Sequence, residues 1–312
     1  MPAPAPNAAT DVTRAPARRV RAGLAKSLAH LREVVPPAPD RCGTPILAGA
    51  ARMLAADLGR AVAHRTGALV SLPDGGRLGV DLATPHGRRW FAWGCCEPAT
   101  WAMRTLAGPG DVVIDAGANI GLFSLIAAAR VGAHGRVVAC EPVPGTMALL
   151  RANVARNRYH WVELHEVAVA ETPGRLELED LGAGSGLSSF APAQAGRGRR
   201  IEVAVTTLDE LAGDDLSRTR VVKLDVEGAE LRALRGATRL LETARPDFIV
   251  ELEPEHLERQ GGSIQELQSL FERSNYVAYA VAGQTLQPLL GSWRRDGADP
   301  NVVIRPRERT AP

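Results

Sequence analysis

Cysteine is sparse in this chain: four residues, at positions 42, 95, 96 and 140, with no C-x-x-C pair among them. That spacing argues against a thiolate zinc site, and adjacent Cys95 and Cys96 are poorly placed for a structural disulfide. Reduced thiols in a cytoplasmic protein are therefore expected. An excess of one charge is also missing, since 37 basic residues face 35 acidic ones for a net +2, a balance that points to neither nucleic acid nor a membrane surface as partner. No apolar run approaches the roughly 20 residues of a membrane helix; the nearest is interrupted by Arg130 and Gly132. Nor is there the apolar h-region of a secretory signal. Aromatics make up only 4% of the 312 residues, yet Trp90, Phe91, Trp93 and Trp101 crowd one stretch. Such crowding suits a ligand wall and ordinary core packing about equally. The hydrophobic share, 45%, is that of a soluble globular protein with a substantial core.

The first 45 residues carry eight prolines among alanines and arginines; they read as a loosely ordered tail. Ile46 to Arg65 has apolar residues at helical spacing. Ala68–Leu72 and Arg77–Leu82, joined by Pro73-Asp74-Gly75-Gly76, read as a hairpin. This helix and hairpin form a subdomain over 46–105, before a larger domain over 106–306.

That larger domain opens with DVVIDAGANIGLFSL, a buried strand, a glycine turn and a helix start in succession. Gly117 and Gly121 remove side chains where backbone could meet a nucleoside ligand. The dinucleotide pattern G-x-G-x-x-G is absent, Asn119 standing where its second glycine belongs, which argues against NAD. Asp115, at the end of the strand, would repel phosphates and suits the cationic sulfonium and ammonium of S-adenosylmethionine. A second strand, Arg136–Cys140, ends in Glu141-Pro142, about 20 residues beyond the turn, the usual place for an acid that binds ribose hydroxyls.

Val143–Asn157 then reads as a crossover helix and Val162–Val169 as a third strand, the alternation of a parallel sheet. Glu166, Val167 and Ala168 stand where backbone could read an adenine edge. Two extended runs, Arg175–Glu179 and Ile201–Thr206, flank a Gly- and Ser-rich segment, as in an inserted hairpin with a loop. A further strand–turn–helix unit, VVKLDVEGAELRAL, brings Asp225, Glu227 and Glu230 to the crevice end of the sheet, and Phe248–Leu252 adds Glu251 and Glu253. Helix capping accounts for Glu227 and Glu230 without chemistry. Otherwise these carboxylates offer a general base for a hydroxyl nucleophile, or oxygen ligands for a divalent cation, Mg²⁺ or Mn²⁺ rather than zinc.

Together these stretches resemble the FkbM-type S-adenosylmethionine-dependent methyltransferases. VVIDAGANIGLFSL is similar to the family's cofactor loop, VVACEPVPGTMALLRANVARN to its ribose strand and asparagine-bearing helix, and TTLDEL with VVKLDVEGAELRALRG to its most distinctive stretch. Gly94-Cys95-Cys96-Glu97-Pro98 resembles its G-x-x-E-P element and Asn301-Val302-Val303 a closing strand. The resemblance spans roughly residues 68–305 and leaves out the tail and the insert over 182–200. It implies a class I methyltransferase Rossmann-like α/β fold, with a mostly parallel seven-stranded sheet, helices on both faces and the last strand antiparallel. It implies S-adenosylmethionine as cofactor, with Asp115, Gly117, Asn119, Gly121, Glu141, Pro142, Val167 and Ala168 around it. It further implies O-methylation of a small-molecule hydroxyl on a sugar or secondary metabolite, with Asp225 or Glu227 as base and Glu97 and Ser189 orienting the acceptor. Mg²⁺ and a homo-oligomer both remain open. The competing readings are an inactive nucleoside-binding protein of the same fold and a NAD-dependent oxidoreductase.

Overall fold

The structure, a computed structural model, describes residues 46–63, 67–95, 97–182, 198–293 and 300–309. The expected tail over 1–45 and the Gly- and Ser-rich segment with Ser189 lie outside the described residues. The chain divides into two units, Met1–Val70 with Val80–Cys95, and Ser71–Gly79 with Cys96–Pro312.

Along the chain, helix α1 (Ile46–Ala63) is followed by a hairpin whose strands are β1 (Gly67–Ser71) and β2 (Arg77–Asp81), and then by α2 (Pro85–Trp93). Thr84 caps α2, its Oγ1 accepting from Gly87 N at 3.0 Å, and Pro85 supplies the fixed φ of a first helical turn. Trp93 is fully buried with Met53 and Ala92. A Cβ on Gly49 would lie 2.0 Å from the Trp93 ring, so only glycine lets α1 close on that indole. Trp90 is buried as well. Core packing, not a ligand wall, explains both tryptophans.

The second unit takes in the tip of the hairpin and then α3 (Pro98–Leu106), β3 (Val112–Ala116), α4 (Leu122–Val131), β4 (Arg136–Cys140), α5 (Pro144–Asn157) and β5 (Val162–His165). Next come β6 (Ala168–Val169), β7 (Gly174–Asp180), β8 (Arg199–Thr206), α6 (Leu208–Ala212), β9 (Thr219–Leu224), α7 (Glu230–Arg235) and β10 (Asp247–Glu251). The chain continues through α8 (Pro254–Arg259), α9 (Ile264–Arg273), β11 (Tyr276–Ala282), β12 (Thr285–Pro288) and β13 (Asn301–Pro306). The main sheet runs β12-β11-β13-β10-β9-β3-β4-β5. Strands β10, β9, β3, β4 and β5 pair in parallel, whereas β13 enters antiparallel between β10 and β11. The seven strands of the expected α/β sheet are present with the last antiparallel, and β12 adds an eighth at one edge.

Every residue of β3 is buried, as the apolar run Val112-Val113-Ile114 predicts for a strand covered on both faces. Beneath the far half of the sheet, Phe248, Phe271 and Tyr276 meet edge to face, with centroids 5.1 to 5.8 Å apart. The expected third strand, Val162–Val169, breaks in two. Its first half is β5 of the main sheet, while Ala168-Val169 leaves to pair with Val205-Thr206 of β8 in a separate sheet ordered β6-β8-β7. The anticipated inserted hairpin is β7 paired antiparallel with β8.

Candidate functional site

The glycine turn joins the ends of three parallel strands. Gly117 N and Ala118 N donate to the Cys140 carbonyl of β4 at 3.0 and 2.8 Å, and Asp225 N, just past β9, donates to the Ala116 carbonyl of β3 at 3.0 Å. Gly117 has φ +82°, and a Cβ there would stand 1.7 Å from the Asp225 carbonyl oxygen. Gly121 has φ +100°, and its Cβ would press Leu150 Cδ1 at 2.6 Å. Both glycines thus make room for this chain's own strand end and helix. Between them Asn119 adopts φ +49°, and its Oδ1 is buried with no hydrogen-bond partner. The turn is held from behind by Asn153 of α5, whose Nδ2 donates to Ile120 O at 2.8 Å and whose Oδ1 accepts from Gly79 N of the hairpin at 2.8 Å.

Two carboxyls flank the turn. Asp115 is buried at the end of β3 and accepts from Ser124 Oγ of α4 at 2.5 Å. Burial pushes its pKa up to about 6, against the Ser124 hydrogen bond and the Lys223 charge. Glu141, buried at the end of β4, accepts from Asn119 N through Oε2 at 3.1 Å and from Val143 N through Oε1 at 3.0 Å. Burial raises it to about 7, the two amides working the other way. Each Glu141 oxygen keeps a lone pair beyond the amide it accepts, so a diol could still be bound there. Pro142, half-buried, follows directly.

The third group lies past β9 and β10. Lys223, 1% exposed in the interior of β9, donates to Asp225 Oδ2 at 3.0 Å, and its ammonium lies 5.0 Å from the centre of the Phe123 ring. Burial opposes the charge on Lys223, yet Asp225 and Glu251 outweigh it and the pKa rises. Asp225 and Glu251 are also hydrogen-bonded to each other; burial acts against charge on both, but Lys223 holds Asp225 low, while burial and the Asp225 charge push Glu251 up. The two carboxyls therefore titrate as a pair. Glu230 Oε1 accepts from Val226 N and Gly228 N, each at 3.1 Å, so Glu230 fastens the turn ahead of α7 and is not a side-chain cap of that helix. Glu227 takes no such part. It sits at φ +54°, with Oε2 3.0 Å from His256 Nδ1 of α8. Burial, then the charges of Asp225 and Glu230, raise Glu227 to about 8; burial and Arg259 lower His256.

Of the sequence candidates, Asp115, Gly117, Asn119, Gly121, Glu141 and Asp225 converge on the crevice end of the sheet, and Glu227 joins them through its turn. Ala168 departs into the small sheet, and Val167 lies in the break before it, so the expected adenine edge is not the end of a continuous third strand. Val167 lines a polar cavity of about 420 Å³ with Arg136, Glu163, His165 and Glu210. Glu97 stands at the head of α3, its carbonyl accepting from Thr100 Oγ1 at 2.7 Å. Ser189 is outside the described residues. Among the described residues no group of three or more His, Cys, Asp and Glu side chains is arranged to hold a metal ion. The carboxylates open to Mg²⁺ in the sequence are instead engaged by Lys223, Ser124 and one another, and they do not fit that ion. Lys223, Ser124 and His256 carry no motif of their own. A lysine inside the apolar run Val221-Val222-Lys223-Leu224 was the one readable sign, because a buried lysine needs a carboxylate.

Residues 115–278 match the family model described as the methyltransferase FkbM domain. The chain is similar to the 31-O-demethyl-FK506 methyltransferase FkbM of Streptomyces tacrolimicus, 31% identical over a 160-residue alignment that takes in 41% of this chain and 60% of the relative. It is also similar to methyltransferase 1 of Beauveria bassiana, 27% identical over 143 residues, covering 40% and 57% of the two. Among solved structures it aligns with methyltransferase FkbM from Methylobacillus flagellatus, at a TM-score of 0.42 and 19% identity, covering 69% of this chain and 52% of that one. The chain spans about three fifths of the length of the curated relatives it matches.

Proposed function

We propose that this chain, which belongs to the FkbM methyltransferase family, transfers a methyl group from S-adenosylmethionine to a hydroxyl oxygen of a small molecule, a sugar or secondary metabolite. The observation that carries this reading is the set of carboxyls at the strand ends, Asp115 and Glu141 buried and Asp225 and Glu251 half-buried, gathered beside a turn in which Asn119 Oδ1 is buried and unpartnered. Burial and mutual repulsion make such a group receptive to a cation, and Asn119 offers an acceptor to an ammonium. Asp115, Gly117, Asn119, Gly121, Glu141 and Pro142 would hold the cofactor, with Glu141 accepting from ribose hydroxyls. Val167 and Ala168 remain the candidates for contacts to the base, and Glu97 and Ser189 for contacts to the acceptor.

When bound, S-adenosylmethionine supplies an electrophilic methyl on a sulfonium. The chain then has to align the acceptor, exclude water and take a hydroxyl proton. Asp225, held as an anion by Lys223, is a weak base and is better suited to electrostatic support of the sulfonium. Glu227, pushed up to about 8, is the stronger base.

Calorimetric titration with S-adenosylmethionine, S-adenosylhomocysteine and NAD tests the reading. Binding of the two sulfur nucleosides and not NAD is expected, followed by methyl transfer in a screen of hydroxyl compounds. NAD binding alone would overturn it, and a folded protein that binds none of the three would point to an inactive relative.

A further inference from the structure

The turn after β9 is built at a conformational cost and brings together two ionisable side chains from separate elements. Glu227 and Gly228 both take left-handed backbone, at φ +54° and +98°. For a non-glycine residue such as Glu227 that conformation costs about 1 kcal/mol or more. Gly228 has no alternative, because a Cβ there would meet the His256 carbonyl oxygen at 2.3 Å. The close approach of α8 to this turn sets His256 Nδ1 3.0 Å from Glu227 Oε2. That nitrogen is buried and has no hydrogen bond from an N–H or to one. A carboxyl proton on Glu227 would satisfy it. Both side chains keep some solvent contact, 19% for Glu227 and 25% for His256, so the pair can both meet a substrate and discharge a proton.

Resting on the proposed methyl transfer, we propose that His256 receives through Nδ1 the proton that Glu227 gives up, so that Glu227 can take the hydroxyl proton of the acceptor. The acceptor oxygen bonds to the methyl carbon as the carbon–sulfur bond breaks, its electron pair passing to sulfur. The hydroxyl proton goes to one oxygen of the Glu227 carboxyl while the proton on the other moves to Nδ1. Imidazolium forms as the sulfonium charge disappears, so the charge of the site is conserved; the Glu227 oxygen that took the hydroxyl proton then releases it to water as Nδ1 returns its proton to the other oxygen, which restores the starting tautomer. His256 acts through Glu227 and is a positioning residue. The groups facing the pair are Asp225, Glu230, Glu251, Lys223 and Arg259 around Glu227, and Arg259, Glu253, Asp225 and Glu255 around His256. Most are acidic and favour the imidazolium once it forms. A Glu227 that is still protonated near neutrality, with a His256 that is neutral, is the starting state that this exchange needs.

The first test needs no acceptor. Long-range ¹H–¹⁵N spectra of the imidazoles, seven in the chain, with His256→Asn for assignment, should show His256 neutral with its proton on Nε2 and a bare Nδ1 that accepts. Glu227→Ala should release that tautomer preference. A proton on Nδ1 in the unaltered protein would overturn the proposal. The second test uses the acceptor returned by the hydroxyl screen. Asparagine at 256 still accepts a hydrogen bond in the Nδ1 position but cannot take a proton. His256→Asn should bind S-adenosylmethionine normally, lose about tenfold or more in turnover at pH 7, and recover as pH rises through about 8, where Glu227 ionises outright. Turnover with an unchanged acid limb would sink the relay while leaving methyl transfer intact. Failure of the unaltered protein to bind S-adenosylmethionine would instead sink the reading beneath it.

Discussion

Lys223 Nζ and Asp225 Oδ2, two residues apart at the end of β9, are joined at 3.0 Å, with the lysine 1% exposed. This pair decides the charge of the crevice, because the ammonium is what allows Asp225 to remain an anion beside Glu251 and Asp115. Removing one partner of such a pair leaves an uncompensated buried charge. Lys223→Met is therefore expected to lower stability by about 3 kcal/mol, measured by urea unfolding at pH 7, and adding Asp225→Asn should restore part of it. A loss below about 1 kcal/mol would mean that the pair is solvated and weak.

Gly117 and Gly121 should respond differently to a methyl group. At Gly117 the added carbon meets backbone, the Asp225 carbonyl at 1.7 Å, whereas at Gly121 it meets the flexible tip of Leu150 at 2.6 Å. Both sites carry the left-handed penalty of about 1 kcal/mol. Gly117→Ala should thus fail to fold or lose several times the stability that Gly121→Ala loses, as read by thermal melting. Equal effects would argue that strand ends β3 and β9 can separate freely.

Stability should depend on pH in a definite direction. Asp115 and Glu141 have folded pKa values raised to about 6 and about 7, chiefly by burial. A raised carboxyl contributes its stability below its unfolded pKa and loses it as pH rises through the folded value. Between about pH 4 and 7 the free protein should therefore become less stable, with about 3 kcal/mol at stake for Asp115 alone between about pH 4 and 6. Asp115→Asn should flatten that slope. Affinity for S-adenosylmethionine should move the opposite way and strengthen across the same window, since the ionised carboxyls favour a cation. A melting temperature that climbs from about pH 4 to 7 would contradict the burial of these groups as acids.

Asp115 and Asp225 should differ in their effect on binding. Asp115→Ala is expected to abolish binding of S-adenosylmethionine in calorimetry. Asp225→Asn should weaken that binding without abolishing it and lower turnover, because it takes away an anion that supports the sulfonium while its amide still contacts Lys223. Normal turnover in Asp225→Asn on an identified acceptor would remove Asp225 from the site.

What the sequence disclosed of this arrangement follows the range of each interaction. Runs such as Val112-Val113-Ile114 and Val221-Val222 declare buried strands from local composition alone, and Asp115, Glu141 and Asp225 declare themselves as acids at the strand ends. The break of the third strand was hidden, because Val162–Val169 is uniformly compatible with one strand and only pairing of Ala168 with Val205 diverts it. His256 was hidden for another reason. A lone histidine on a short polar helix looks solvated, and its value depends on Gly228 admitting its carbonyl, a contact 28 positions away that no spacing rule anticipates. The glycines of the turn were read correctly as places without side chains, but what fills the space is Asp225 and Leu150.

Strand β13 carries a practical consequence. It contributes residues 301–306 to the middle of the sheet, yet it lies beyond the 115–278 stretch that matches the family. A fragment excised at those limits would strip the pairing strand from β10 and truncate β11, exposing the backbone of Phe248 to Glu251 as an open edge. Hydrophobic edges of that kind recruit other chains, so such a fragment should precipitate where the longer chain stays dispersed. The region by which the family is recognised is thus shorter than the smallest piece that can close its own sheet.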